Sequence, residues 1–413
     1  MELVNRKVTY RMYPGKVQEE ALLNLLGLHQ RVYNTALEDR IRVYQETSRS
    51  ASFAGQCKDL TQWRKQCESV AGVNAQSLQV TLKRLDLAYQ AFFRRVKAGE
   101  EEPGFPRFKP IQRFSGWGYK THGDGWRLHA GEKMKHGHIR LSGVGMVKLR
   151  GKARIEGNPK TCEILHKAGK WYASVTIECS PQRACGTQAM GLDWGLETFA
   201  TICDNDGLTH SVANLRHLKQ ELAKLKMLQQ SVSRKKNKRS NARRKAVKLV
   251  ANLHAKVANK RKNFNHQTAA SLVEQYGLIS TEALSVKNMT ASGGKYKKGL
   301  NREILSAAPT QFLNLLKSKA EEAGAVWVEV PTRQVKPSQT CHRCGIQRKK
   351  LLSERQHSCD CGARCSRDEN AARVMLNWAL FGNATGQESG RGGESLKLAM
   401  LNHETSPITA LAA

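Results

Sequence analysis

The sequence contains few acidic residues and no long hydrophobic run. Its 413 residues include 35 aspartates and glutamates against 68 lysines and arginines, which gives a formal net charge of +33. This excess argues against an ordinary small-metabolite enzyme and indicates a polyanionic partner. No uncharged stretch reaches the ~18 residues of a spanning helix, and the N-terminus lacks the apolar segment of a signal peptide. We therefore expect a soluble, intracellular protein without a membrane partner; a basic membrane-surface protein is the competing interpretation.

Cysteine is concentrated in one short segment. Five of the eleven cysteines lie between residues 341 and 365, a clustering typical of a metal site in a reducing compartment rather than of scattered disulfides. They include one C-x-x-C pair and one C-x-C pair, each followed by glycine, and four thiolates suit one tetrahedral, structural Zn²⁺. Because the second pair is short, Cys365 or His357 could replace one of its members. The predicted zinc ligands are Cys341, Cys344, Cys359 and Cys361.

Hydrophobic periodicity predicts a β-rich and a helical part in the first half of the chain. Alternating polar and apolar residues indicate strands, and apolar residues at helical spacing indicate helices. The strand near the N-terminus is expected to join the later strands in a small barrel or sandwich. The predicted elements are a strand at 7–13, helices at 17–44, 58–70 and 74–97, and a hairpin at 163–177 that turns at 167–170.

A long basic helical stretch follows at residues 216–262. It contains seventeen lysines and arginines and one acid, Glu221, yet an apolar stripe indicates folded helix, with a hairpin turn at 231–240. Such a run usually forms a solvated face, but a patch this dense repels itself unless anions offset it, so we predict contact with phosphate. Together with cations of the linker near residue 104, the candidate nucleic-acid contacts are Arg94, Arg95, Arg107, Lys109, Arg234, Lys235, Lys236, Arg243 and Arg244.

Aromatic residues near the same linker have two interpretations. They could stack on unpaired bases, or they could belong to the core of the β-rich part. The sequence leaves both open for Phe105, Phe108, Trp117 and Tyr119.

Three acidic residues stand out by their context. Asp193 lies in a short apolar strand between glycines, Glu282 follows an apolar run, and Asp368 opens a helical pattern. A carboxylate on a strand is costly unless a metal or a donor satisfies it. Brought together, the three would hold two divalent cations ~4 Å apart, which activate water and stabilise the leaving oxygen of a phosphodiester. Taken singly, each could be a turn or cap residue, and Asp368 in particular a helix cap.

The order of these motifs resembles the TnpB family of transposon-encoded, RNA-guided DNA nucleases, which is ancestral to the type V CRISPR effectors. The sequence runs from Gly-Leu-Asp193-Trp-Gly to Glu282-Ala-Leu-Ser-Val-Lys-Asn-Met, then the cysteine pairs, then Arg-Asp368-Glu-Asn-Ala-Ala. The resemblance covers nearly the whole chain. Further matching motifs are Tyr13-Pro14, Arg31-Val-Tyr-Asn34, Gly-Phe-Pro-Arg-Phe-Lys109, Lys170-Trp-Tyr172 and Leu300-Asn-Arg-Glu-Ile304.

The resemblance implies that Asp193, Glu282 and Asp368 are catalytic and bind two Mg²⁺. It also implies a structured guide RNA from the transposon end, a double-stranded target DNA opened beside a short transposon-adjacent motif, and a prokaryotic cytoplasm as the place of action. The family often has Asp-Arg-Asp where this chain has Ser366-Arg367-Asp368, so only the last of these can serve.

For the fold, the resemblance implies an α+β multidomain chain. Its parts are an RNase H-like RuvC nuclease domain, an inserted zinc ribbon, a small β-barrel wedge domain and a helical recognition lobe. The implied boundaries are 1–15 and 104–185 for the wedge domain, 16–103 for the lobe, 186–335 and 366–381 for RuvC, 336–365 for the ribbon and 382–413 for a disordered tail.

Three alternatives to a transposon-borne nuclease remain at this point. A non-catalytic RNA-guided regulator would occupy DNA with the same basic surface, and a cut-and-paste transposase would use similar acids to join strands. A compact type V CRISPR effector would share the chemistry, although a length of 413 residues favours the transposon-borne form.

Overall fold

The first 180 residues combine one antiparallel sheet with a layer of helices. The computed structural model describes residues 3–153, 155–291, 293–294, 297–351 and 353–386, and the chain divides into two units, Met1–Ser180 and Pro181–Ala413. Of the predicted tail, residues 387–413 lie outside the described ranges. The elements of the first unit are β1 (Val4–Tyr13), α1 (Lys16–Thr47), α2 (Phe53–Gln66), α3 (Glu68–Ala71), α4 (Ala75–Lys97), β2 (Gly116–Tyr119), β3 (Trp126–Ala130), β4 (Lys135–Leu141), β5 (Gly145–Lys152), β6 (Asn158–Lys167) and β7 (Lys170–Cys179).

The N-terminal strand joins the later strands, as predicted, and it lies in the middle of the sheet. The order is β2-β6-β7-β1-β5-β4-β3, and every neighbouring pair is antiparallel. β1 therefore joins two hairpins that come more than 100 residues later. Among the described strands, the end strands β2 and β3 do not pair with each other, so the barrel of the wedge domain stays a prediction.

The predicted hairpin and the helices predicted at 17–44 and 74–97 are confirmed, whereas the stretch predicted as one helix at 58–70 forms two helices, α2 and α3, which are separated at Cys67. β6 and β7 turn at Ala168 and Gly169, both at positive φ (51° and 70°), as a two-residue hairpin requires. The helical face of α1 buries Leu22 and Leu37, while Trp117 and Tyr119 lie buried at the sheet. The core interpretation is therefore correct for these two aromatic residues.

The second unit contains a mixed sheet covered by helices. The elements are β8 (Gln188–Trp194), β9 (Thr198–Asp204), β10 (Thr209–Ala213), α5 (His217–Gln220), α6 (Leu222–Ser233), α7 (Asn241–Gln275), β11 (Tyr276–Glu282), α8 (Val286–Met289), α9 (Lys297–Ala307), α10 (Pro309–Ala323), β12 (Val326–Val330), α11 (Thr332–Val335), β13 (Gln356–Ser358), β14 (Arg364–Ser366) and α12 (Arg367–Phe381). The order is β10-β9-β8-β11-β12; β8, β11 and β12 run parallel, and β8-β9-β10 form an antiparallel meander.

The two faces of strand β8 pack against different helices. Met190 and Leu192 belong to the cluster that contains residues of α7 and α10, whereas Ala189 packs with Leu376 and Ala379 of α12. Because side chains alternate along a strand, one face is assigned to each layer of helices. The mixed α and β content expected for this chain is confirmed, and α12 lies on the face that also carries residue 193.

The predicted basic helical hairpin is present as α6 and α7. Ser240 caps α7 by accepting a hydrogen bond from the N–H of Arg243, so the turn falls inside the predicted range of 231–240. Leu225, Leu253 and Val257 of the predicted apolar stripe are buried along the hairpin, whereas Val247 is exposed. In the described ranges, none of the helices combines the length and apolar character needed to cross a membrane.

Candidate active site, zinc ribbon and nucleic-acid surfaces

Asp193 and Glu282 lie at the carboxyl ends of two neighbouring parallel strands. Asp193 is the last residue but one of β8, and Glu282 ends β11. Thr281 pairs with Leu192 across these strands, so the next step along both places Glu282 beside Asp193. Carboxyl ends of parallel strands form the edge where α/β sheets bind ligands.

Helix α12 brings the third acid to the same edge. It crosses β8 at Gly191, where a Cβ would lie 2.0 Å from the backbone oxygen of Ala372, so the close approach requires glycine. Because Ala189 packs near Leu376 and Gly191 touches Ala372, the helix runs antiparallel to the strand. Asp368 lies one helical turn before Ala372, and Asp193 lies two residues after Gly191. The carboxylates of Asp368 and Asp193 therefore converge.

The electrostatics of the three acids agree with this convergence. Burial raises the pKa of Asp193 well above its usual range, and the negative charges of Glu282 and then Asp368 raise it further, while Arg367 opposes them. Burial also raises the pKa of Glu282. Each side chain is partly exposed at the edge of the sheet. Like charges held together here favour protonation unless a cation enters, so this donor set fits a divalent metal.

The spacing of the acids differs from that of ligands around one ion. Within the described residues, no three carboxylate groups have oxygens within 4.8 Å of one another. Among the described residues, the three acids therefore lie along one sheet edge without forming one close group of oxygen ligands.

The cap interpretation of Asp368 is wrong. Ser366 is the N-cap of α12, and its Oγ accepts a hydrogen bond from the N–H of Glu369 at 3.1 Å. Thus Ser366 performs the capping, and the carboxylate of Asp368 remains near Asp193.

The two cysteine pairs meet as the sequence predicted. The sulfur atoms of all four predicted ligands lie within 4.8 Å of one another; Cys341 and Cys361 are 3.7 Å apart, and Cys344 and Cys359 are 3.5 Å apart. This four-cysteine cluster fits a structural zinc site. Cys365 pairs with His357 across β13 and β14 and is outside the cluster.

One substitute ligand remains near the cluster. His357 forms a second close group with Cys341 and His342. Its Nδ1 contacts the amine of Lys350, and burial, followed by the charge of Lys350, lowers the pKa of His357. An imidazole whose protonation is disfavoured therefore lies beside the four cysteine sulfur atoms.

Comparison with known proteins identifies the family. A protein of Streptomyces pristinaespiralis is 31% identical, and the match covers 96% of each chain; an Escherichia coli (strain K12) protein, InsQ, is 28% identical and covers 89% of this chain and 90% of its own. Both carry the name "Putative RNA-guided DNA endonuclease". This chain belongs to the TnpB family.

Family models match three segments of this TnpB chain. They are described as "Helix-turn-helix domain" for residues 1–49, "Probable transposase" for 172–293 and "Cas12f1-like, TNB domain" for 310–375. In the described part of the first segment, the structure has strand β1 followed by the single helix α1. The last segment contains the cysteine cluster.

A solved structure has the same fold despite a distant sequence. It is the cryo-EM structure of a Cas12f1-sgRNA-target DNA complex, with a TM-score of 0.60 and 11% identity. The match covers 90% of this chain and 98% of that one. At this identity the likeness concerns the fold alone.

The basic hairpin of the TnpB chain contains both exposed and internally bonded cations. Arg243 Nη1 donates to the backbone oxygens of Val232 (2.9 Å) and Lys235 (2.8 Å), which closes the turn between α6 and α7. Lys235 itself donates to Ser231. Of the predicted contacts in this hairpin, Arg234, Lys236 and Arg244 are exposed to solvent.

Four cations near the linker are predicted to contact nucleic acid, and two of them contact other residues of the protein. Arg95 donates to the backbone oxygens of Pro103 and Gly104. The amine of Lys109 lies 4.2 Å from the centre of the Tyr33 ring, and burial followed by the charge of Arg84 lowers its pKa. The other two predicted contacts, Arg94 and Arg107, are exposed.

A further basic surface on the first unit was missed by sequence reasoning. On the outer face of the sheet, like charges stand directly opposite each other: Arg11 faces Arg150, and Arg127 faces Arg140. Both Arg11 and Arg150 also lie over the ring of Tyr13, at 5.0 and 5.3 Å. Like charges directly opposite destabilise a sheet, so this face is suited to an anion. The signal was present as cations at alternate positions of β3, β4 and β5.

Proposed function

We propose that this TnpB protein is an RNA-guided DNA endonuclease. The observation that carries the proposal is the convergence of Asp193, Glu282 and Asp368 at one sheet edge, with Asp193 raised in pKa by burial and by the other two acids. A group of partly desolvated carboxylates held close together is costly in a protein that does not use it. The names of the two bacterial relatives support the same activity.

Asp193, Glu282 and Asp368 would hold two Mg²⁺ ions. Carboxylate oxygens are ligands that Mg²⁺ prefers. The negative charges of the three acids repel one another, and bound cations would offset this repulsion. When bound, the two ions would activate water and stabilise the charge on the leaving oxygen of a phosphodiester. The three acids would hold the ions in place. The register of β8 and β11 would position Asp193 and Glu282, and the contact of α12 at Gly191 would position Asp368.

The domain assignments are part of this proposal. The five-stranded sheet and α12 would be the RNase H-like RuvC domain, and the four-cysteine segment its inserted ribbon. In the first unit, the seven-stranded sheet would be the wedge domain and α1 to α4 the recognition lobe. The fold likeness to Cas12f1 supports this layout.

Guide RNA and target DNA would be held mainly by their phosphates. Base pairing can read the target sequence while the protein grips the backbone, which requires many cations and few base contacts. The net charge of +33 and the exposed Arg94, Arg107, Arg234, Lys236 and Arg244 support such a grip. A short motif beside the target would be read by the protein itself.

The proposal is tested by Asp193→Ala in the purified protein–guide RNA complex. We expect target binding to persist and Mg²⁺-dependent cleavage to fall by roughly 1,000-fold or more, because the acid acts in chemistry rather than in affinity. Glu197→Gln is a matched control, since this acid is nearby in sequence and its side chain is 73% exposed. Cleavage that survives in Asp193→Ala would refute the site.

Two alternatives give different results in the same experiment. A non-catalytic regulator would bind target DNA but show no cleavage even with all three acids intact. A cut-and-paste transposase would yield strand-transfer products when supplied with transposon ends. The intact acid cluster argues against the first alternative, and the names of the two bacterial relatives argue against the second, although one matching family model is described as "Probable transposase".

A further inference from the structure

Asn370 connects the helix of the acid cluster to the zinc knuckle. It follows Asp368 by two residues on α12 and is fully buried. Its Oδ1 accepts hydrogen bonds from the backbone N–H of His342 (3.1 Å) and from His342 Nδ1 (3.0 Å). Its Nδ2 donates to the backbone oxygens of Thr340 (2.7 Å) and Pro337 (3.3 Å). Asn370 therefore contacts the residue on each side of the zinc ligand Cys341.

These four bonds explain why an asparagine occupies a buried position of a helix. A buried amide costs free energy unless its donors and acceptor are satisfied, and asparagine is a poorer helix former than alanine. Here the acceptor and both donor hydrogens are used, all toward the knuckle. Packing alone would be served better by an apolar residue, so the side chain supplies a connection of fixed geometry.

The ribbon holds the start of α12 by other contacts as well. Strand β14 ends at Ser366, and α12 begins at the next residue without a linker. The backbone N–H of Arg367 donates to the oxygen of Arg355 at 2.8 Å, and Arg367 Nη1 donates to Leu351. The first turn of α12 thus rests on the ribbon, and Asp368 lies in that turn.

We propose that Asn370 is a positioning residue through which the zinc ribbon sets the place of Asp368 in the acid cluster. The inference rests on the proposed function of that cluster. Zinc fixes Cys341, the neighbours of Cys341 fix Asn370, and Asn370 fixes the turn that carries Asp368. Loss of this connection displaces a carboxylate by a fraction of an ångström, which weakens metal binding without removing a ligand.

The first test compares Asn370→Ala with Asn377→Ala in guided cleavage at varied Mg²⁺. Asn377 lies on the same helix and donates to the backbone oxygen of the same His342, at 3.0 Å, but it is two turns further from Asp368. We expect Asn370→Ala to raise the half-saturating Mg²⁺ concentration about tenfold, with most of the rate recovered at saturation. Asn377→Ala should leave that concentration within about twofold. A merely structural role would lower the active fraction equally at every Mg²⁺ concentration.

The second test uses hydrogen exchange and needs no cleavage. In Asn370→Ala, and in the wild-type protein after zinc is removed with a chelator, amides of residues 367–371 should exchange faster while those of 374–379 stay protected. Faster exchange along the whole helix, or none at 367–371, would overturn the proposal. If Asn370→Ala does not fold, Asn370→Ser takes its place in both tests, because its side chain is too short to make these four bonds, whereas zinc removal also releases the contacts of Arg367.

The two tests separate this inference from the proposed function. If Asp193→Ala cleaves normally, the acid cluster is not the active site, yet the exchange result still shows whether the ribbon holds the first turn. If Asp193→Ala is inactive and the Mg²⁺ dependence of Asn370→Ala equals that of the wild type, the proposed function stands and the positioning role fails. An equal Mg²⁺ shift in Asn377→Ala also refutes it.

Discussion

Replacing Asp193 with asparagine should make the second unit more stable while it removes catalysis. Desolvation, followed by the charges of Glu282 and then Asp368, raises the pKa of the Asp193 carboxyl well above its usual range. Asparagine keeps the shape and removes the charge. For each unit by which folding raises the pKa of the acid, its ionised form lowers the free energy of unfolding by about 1.4 kcal/mol at neutral pH. In a unit of this size, removing a destabilisation of about 1.4 kcal/mol raises the melting temperature by roughly 3–6 °C.

The sign of the pH dependence follows from the direction of the shift. Because its pKa is higher in the folded state, Asp193 binds more protons folded than unfolded between the two pKa values. Wild-type stability from this group is therefore present at low pH and declines as pH rises from the unfolded pKa through the raised folded one. Asp193→Asn lacks this decline, so the difference in melting temperature between variant and wild type should be larger at pH 8 than at pH 5.

The assay is thermal melting of zinc-loaded protein, with and without Mg²⁺. In the absence of Mg²⁺ the variant should melt higher than the wild type, and added Mg²⁺ should raise the melting temperature of the wild type but not of the variant. Glu197→Gln, the exposed control, should change neither value. A variant that melts lower than the wild type, or an equal Mg²⁺ effect on both proteins, would refute the reasoning.

Three further predictions concern the ribbon, the strand–helix contact and the basic hairpin. Cys344→Ser should lower both zinc stoichiometry, measured by metal analysis, and melting temperature, because structural zinc contributes to folding. Gly191→Ala places a Cβ 2.0 Å from the oxygen of Ala372; it should cost about 3 kcal/mol or more in unfolding experiments and reduce cleavage, since α12 must move away from β8. The pair Lys236→Ala and Arg244→Ala should weaken guide RNA binding and reduce the slope of log K against log salt by about 1 for each phosphate that is no longer neutralised.

Each of these predictions has a control and a contradicting result. Cys67→Ser removes a cysteine outside the cluster and should keep the zinc; unchanged zinc and melting in Cys344→Ser would exclude it as a ligand. Gly27→Ala, where a Cβ meets no atom within 4 Å, should not destabilise. Gln229→Ala is an exposed, uncharged control on α6, and a salt slope equal in all hairpin variants would argue against phosphate contact.

Local patterns predicted the individual elements well. The strand at β1, the helices of the first unit and the hairpin at 163–177 follow from alternation, helical spacing and a glycine turn, all of which depend on neighbours in the chain. The zinc cluster was also predictable, because each cysteine pair is local and two pairs need one ion. What the sequence left open there was whether Cys365 or His357 replaces a member of the second pair; the structure groups Cys361 with the other three sulfur atoms and pairs Cys365 with His357 across β13 and β14.

The fate of individual cations could not be predicted from the sequence. Arg95 and Arg243 belong to basic runs that look uniform, yet their guanidinium groups are used on backbone oxygens of the linker and the hairpin turn. Whether a side chain meets a carbonyl or solvent depends on a backbone conformation tens of atoms away. The paired arginines of the first sheet were missed for a similar reason, since Arg11 and Arg150 are neighbours through strand register.

The amino-acid sequence alone determined which functional groups the protein contains. They are a large excess of basic side chains, four cysteines that could bind zinc, and three acids on apolar or helical segments in the order of the TnpB family. Those properties reside in residue types and short-range spacing. Tertiary structure decided that Asp193 meets Glu282 through parallel register, that a glycine lets α12 bring in Asp368, and that Asn370 links this helix to the knuckle. Such contacts join residues some 30 to 180 positions apart, and packing of sheet against helix, not any local preference, brings them within reach.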